Sequence, residues 1–172
     1  MEIAEIVIFG SALALSISIV VFASLRTYKL EHNECIEDAL DTCIELVSHS
    51  VNSVNIVTDL SPKVFENPQM LAIMRNAVGK GVHFNILFEP GTKLEKVPQF
   101  NTLINESQNR IVARELTIKP PYHFWVADGN SVRIEKPHAK GDVDKVKACL
   151  RINTLILGSK YNEIFSNLWK KK

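Results

Sequence analysis

Twenty consecutive residues, Ile6 to Leu25, carry no charge and are rich in Ile, Val, Leu and Phe. At about 1.5 Å of rise per residue, a helix of that length matches a hydrocarbon core of about 30 Å. It would be apolar on every face, so it cannot lie half in water; a buried core helix is the alternative. Glu2 and Glu5 precede the run, and Arg26 and Lys29 follow it. A secretory leader has the opposite polarity, so an uncleaved single-pass membrane anchor is expected at 6–25, after a short segment 1–5. Positive charge after the span places the C-terminal domain on the cytoplasmic side. Within it, Gly10, Ala14 and Ser18 recur every four residues. Small residues at that spacing let two membrane helices approach closely, which makes a homodimer or larger assembly an expected state.

The remaining chain divides into a charged connector, 26–32, and a domain, 33–172. With 172 residues and 46% apolar content, one membrane segment and one compact domain can be built, but not two domains. A net charge of +1 excludes bulk attraction to nucleic acid, so binding to nucleic acid would need a local basic patch, such as the end Lys170-Lys171-Lys172. The three cysteines, Cys35, Cys43 and Cys149, are odd in number and sit among apolar neighbours, as buried thiols do. No metal and no cofactor is expected.

From Glu34, apolar positions Cys35, Ile36, Ala39, Leu40, Cys43, Ile44 and Val47 follow helical spacing. Val54–Thr58 is a buried strand. Asn67-Pro68 opens a helix, with Asn67 as its cap and Pro68 at the first helical position. Met70, Leu71, Met74, Ala77 and Val78 form its inward stripe, and Gly79 with Gly81 ends it. Val82–Phe88 alternates as a strand. Glu89-Pro90-Gly91 breaks that strand, 92–98 is loop, Gln99–Gln108 is a third helix, and 110–119 supplies another strand. Strand, helix, glycine, strand is a βαβ crossover, so the fold class expected is α/β with a mixed, largely parallel sheet flanked by helices.

Polar chemistry concentrates between Tyr122 and His138, which read as a strand, a tight turn and a second strand. Side chains alternate, so His123, Trp125 and Ala127 share one face. A three-residue loop at Gly129–Ser131 would bring Arg133 and Glu135 to that face, with Trp125 opposite Glu135. A two-residue Gly129-Asn130 loop would send them to the other. On a shared face, Arg133 offers a bidentate fork to phosphate and Glu135 orients it. The plainer alternative is an Arg133–Glu135 salt bridge on a solvated strand, with Trp125 as core. Trp125, Arg133, Glu135 and Lys140 are the candidate ligand-binding residues; His123 and His138 are the candidate catalytic pair.

A histidine followed by a strand closing on Val126-Ala127-Asp128-Gly129, then a second strand, resembles the signature hairpin of the phospholipase D superfamily, whose motif is His-x-Lys, four residues, Asp. The alternating Val146–Asn153 and the amphipathic helix ending at Trp169 are similar to how such domains close. Counting back from Asp128 puts Pro121 at the motif histidine and His123 at its lysine. A second candidate, His138-Ala139-Lys140, has the His-x-Lys spacing, but Lys145 stands five beyond Lys140. The resemblance implies a phosphodiesterase fold in which a histidine nucleophile forms a phosphohistidine, with a second histidine as general acid, a pair that small chains assemble by dimerising. Its departures imply a degenerate, membrane-anchored module that binds a partner or a phosphate-bearing ligand. The alternative is a dimeric membrane-bound phosphodiesterase, nuclease or phospholipase, using His123 and His138 from two chains.

Overall fold

The computed structural model describes residues 30–33, 36–135, 148–151 and 154–171; the apolar run 6–25, His138 and Lys140 lie outside them. Among the described residues, no helix is long and apolar enough to cross a membrane.

Strand β1 (Leu30–Asn33) falls largely in the stretch expected to be a connector, and helix α1 (Ile36–Ser48) follows. Ala39, Cys43, Leu46 and Val47 form the buried stripe of α1, and Glu37 and Asp38 lie in its first turn, where the helix dipole favours carboxylates. Strand β2 (Ser53–Thr58) leads through a short helix, α2 (Pro62–Phe65), to α3 (Pro68–Gly79). The α3 start is as expected: the Asn67 side chain accepts hydrogen bonds from the N–H groups of Gln69 and Met70, and Pro68 opens the helix. Gly81, at φ 99°, turns the chain into β3 (His83–Phe88). A 3-10 turn at Leu94–Lys96 and helix α4 (Pro98–Glu106) precede β4 (Ile111–Glu115). The hairpin of β5 (His123–Ala127) and β6 (Ser131–Glu135) follows, then β7 (Ala148–Arg151) and α5 (Leu155–Lys170).

The strands form one sheet in the order β1-β7-β6-β5-β2-β3-β4. It is mixed, but largely antiparallel rather than largely parallel. Only β2 with β3 and β3 with β4 run parallel; the β1–β7, β7–β6, β6–β5 and β5–β2 pairs are antiparallel. Parallel neighbours need a crossover, and only α3 and α4 provide one. After β4 the segment 116–122 carries no helix, so the chain turns back beside β2 in the opposite direction.

Period-two alternation gives the sheet two buried faces. On one, Val54, Ile56, Phe84, Ile86 and Trp125 pack against Phe65, Met70, Met74 and Phe100. On the other, Val57, Leu87, Phe124, Val126 and Val132 pack against Phe165 of α5.

The hairpin turn sets the register of both faces. Ala127 pairs with Ser131, so the loop is Asp128-Gly129-Asn130. Asp128 (φ 51°) and Gly129 (φ 69°) both occupy the left-handed region, which Asp tolerates better than most residues. The Asp128 carboxylate accepts the N–H groups of Val51, Asn52 and Ser53 at 2.8, 2.8 and 2.9 Å. Its own N–H donates to the Ser53 carbonyl at 2.9 Å. Asp128 therefore fastens the hairpin to the start of β2, and α5 seats on the same turn. The Thr154 N–H donates to the Asn130 carbonyl at 2.6 Å. A Cβ on Gly158 would lie 2.0 Å from the Gly129 carbonyl oxygen.

That contact predicts that Gly158→Ala costs about 3 kcal/mol or more in urea unfolding, because backbone rather than a flexible side chain must move. Gly79→Ala, with nothing within 4 Å of the added methyl, should be neutral or gain up to about 1 kcal/mol.

Candidate functional site

A cavity of about 350 Å³ opens where β2 ends and β5 begins. His123, Trp125, Arg133 and Glu135, the four sequence candidates within the described residues, all line it, together with Thr58, Asp59 and α2. His138 and Lys140 cannot be placed relative to it, since both lie outside those residues. The hairpin puts His123 opposite Glu135 and Trp125 opposite Arg133. The loop has three residues, as one of the two sequence alternatives required, but it begins at Asp128 rather than Gly129. A shift of two positions preserves the face, so the four side chains do converge, with Trp125 facing Arg133 rather than Glu135.

Two basic side chains of the cavity wall, His123 and Arg133, each sit on a carboxylate. The His123 side chain is 7% exposed, and its Nε2 lies 2.8 Å from Glu89 Oε1. The other Glu89 oxygen is 3.3 Å from Lys119 Nζ. Glu89 follows β3 and Lys119 lies between β4 and β5, so this cluster ties two loops to one end of the sheet. Arg133 is 3% exposed at its side chain and donates from Nη1 to Glu135 Oε2 at 2.6 Å. Its Nε donates to Thr42 Oγ1 at 3.3 Å, and the Thr42 hydroxyl donates to the Asp38 and Ala39 carbonyls, each at 3.0 Å.

The electrostatics follow from that enclosure. Burial opposes the Arg133 charge, but Cys43 and Glu135 outweigh it and hold the guanidinium above the usual arginine range. Burial pushes the Cys43 thiol up to about 11, against the pull of Arg133 and with a further rise from Glu135. A thiol that remains protonated is a core group rather than a nucleophile. At the cavity mouth, Thr58 Oγ1 accepts the Leu60 N–H and Asp59 Oδ1 accepts the Ser61 N–H, both at 3.1 Å, fixing the loop from β2 to α2. Trp125 is buried, with its ring 5.7 Å from that of Phe65, so it serves the core as well as the cavity wall.

Three partners were not legible as site residues. Glu89 reads as a strand breaker, although an acid at the carboxyl end of a parallel strand is where such sheets bind ligands. Lys119 carries no local signal. Thr42 sits between Ala39 and Cys43 on the α1 stripe, where a hydroxyl on an apolar face is the one hint that something polar faces it.

Buried pairs are costly to break singly and cheap to replace together. Glu135→Ala is therefore expected to cost about 3–5 kcal/mol, since it strands a buried guanidinium. The double change Arg133→Met with Glu135→Leu should recover most of that loss, measured by denaturant unfolding of all three proteins. At pH 8, Cys43 in the folded domain should resist alkylation that denaturant allows.

No family model matches the sequence, and no curated protein matches it. Solved structures do. TrmBL2, described as an archaeal chromatin protein with a novel mode of DNA binding, superposes with a TM-score of 0.66 at 14% identity. The match covers 98% of this chain, which spans 63% of TrmBL2. Nuc from Salmonella typhimurium, a phospholipase D family member, superposes at 0.63 with 13% identity, over 84% of this chain and 95% of Nuc. The polyphosphate kinase of Porphyromonas gingivalis superposes at 0.55 with 12% identity, over 85% of this chain and 26% of the kinase. At such identities the likeness concerns architecture alone, and on architecture the sequence resemblance and the superpositions agree: this chain has the phospholipase D-like fold.

Proposed function

We propose that this chain is a membrane-anchored phospholipase D-like module that does not turn over phosphodiesters and instead binds a partner or a phosphate-bearing ligand at the cavity. The pairing of His123 with Glu89 carries the reading. Pro121 stands at the position of the motif histidine, and His123, at the position of the motif lysine, already holds a carboxylate at 2.8 Å. The buried guanidinium of Arg133 likewise holds Glu135. A phosphate group must compete with two carboxylates for these donors, so the site favours modest, exchangeable binding over the tight transition-state contacts that hydrolysis needs. Nuc and TrmBL2 carry this architecture under the descriptions of phospholipase D family member and chromatin protein, which supports treating the fold as a scaffold whose chemistry depends on its cavity residues. The membrane anchor is the run 6–25, with the domain on the cytoplasmic side.

One observation favours a second reading, a dimeric phosphodiesterase using His123 and His138 from two chains. A carboxylate bonded to one ring nitrogen is also how an imidazole is oriented for nucleophilic or general-base work.

Hydrolysis of a chromogenic diester and of DNA by the full chain in detergent separates the two. The binding module predicts no turnover above that of His123→Ala and Glu89→Gln; turnover lost in both variants would establish the enzyme. If a phosphate-bearing ligand uses Arg133, Glu135→Gln should bind inorganic phosphate about tenfold more tightly than the parent, followed by Trp125 fluorescence. Weaker binding would instead make Glu135 an orienting residue.

A further inference from the structure

Three of the large apolar side chains exposed among the described residues surround the hairpin turn: Val51 at 71%, Leu155 at 71% and Ile156 at 87%. The Val51 N–H donates to Asp128, and Leu155-Ile156 directly follow Thr154, whose N–H donates to the Asn130 carbonyl. This is the end of the sheet opposite the cavity. Scattered exposed apolar residues are ordinary; these three share one end of the sheet, and two of them are adjacent in the first turn of α5.

The chain enters the domain from that same end. Leu30 pairs with Arg151, and Arg151 pairs with Val132, just past the turn. From there β1 runs to Asn33, which aligns through Ala148 with Glu135 and His123 at the cavity end. Leu30 therefore lies at the end of the sheet that carries Val51, Leu155 and Ile156. Only residues 26–29 separate Leu25, the last of the apolar run, from Leu30. Five steps of at most about 3.6 Å cannot carry Leu30 farther than about 18 Å from the end of that run.

We infer that the turn end of the domain docks on the lipid bilayer, with Val51, Leu155 and Ile156 seated at the boundary between headgroups and acyl chains and the cavity mouth turned to water. This rests on the membrane anchor proposed above. Three apolar side chains alone would bind a bilayer weakly and reversibly, but a short tether raises the local lipid concentration enough to keep the contact made. Charge at this end is mixed: Arg110, whose Nη1 donates to the Gly81 carbonyl, lies there with Lys80, and so does Glu106, which pairs with Arg75. Docking therefore depends on apolar contact and needs no anionic lipid.

The test uses the full chain in phosphatidylcholine vesicles, with Ile156→Cys or Lys93→Cys added and the parent chain as background. Lys93 is exposed in the loop after β3, at the cavity end. With a membrane-impermeant maleimide, and rates normalised to the outward-facing population, the thiol at 156 should react at least tenfold more slowly than that at 93. Adding Val51→Asp and Leu155→Asp to Ile156→Cys should restore the rate. Equal rates for 156 and 93 in chain that floats with the vesicles would overturn docking while leaving the anchor intact. Chain that does not float would overturn the anchor and the docking together.

Discussion

The Asp128 carboxylate is the contact on which the rest of this domain depends. It collects three N–H groups at the start of β2, groups that a strand's first residues cannot all satisfy within the sheet. In doing so it fixes where the hairpin sits against β2, and therefore which side chains of β5 and β6 face the cavity. A one-residue slip would send Arg133 and Glu135 to the α5 face, which is built from Phe124, Val126, Val132 and Phe165 and has no room for a buried ion pair. The same turn receives Gly158 of α5 at backbone contact distance. One short loop thus joins both layers of the domain and the register of the site.

Much of this was legible in the sequence because it depends on local chemistry. The Asn67-Pro68 helix start, the Met70, Leu71, Met74, Ala77 and Val78 stripe, of which Val78 is only half-buried, and the strand expected at 54–58 and found at 53–58 follow from capping and periodicity. The strand directions after β4 were less accessible, because nothing in a strand's own sequence states which neighbour it will take. The convergence of His123, Trp125, Arg133 and Glu135 was legible only as one of two alternatives. The pairing of Ala127 with Ser131 decides between them, and bonds to residues 51–53, over seventy positions away in the chain, hold that turn against β2. Glu89, Lys119 and Thr42 were missed for the same reason: each acquires its role from a long-range neighbour.

The cavity shows how a fold associated with phosphodiester chemistry can house a different balance of charge. His123 and Arg133 line it, and each is bound to a carboxylate from the same sheet and its loops. In a buried setting such a pair is stabilising only while complete, so a ligand that takes one partner must leave the other satisfied. The two pairs keep the cavity wall polar and fixed in shape.

On the proposed reading, His123, which stands at the position of the motif lysine and is held by Glu89, is not a nucleophile. Intact-mass and peptide mass spectrometry of the full chain, quenched in alkali after exposure to a phosphodiester so that any phosphohistidine survives, tests it most directly. The His123 peptide should stay unmodified at every time point. A phosphoryl adduct on His123 that forms and decays with substrate would contradict that reading.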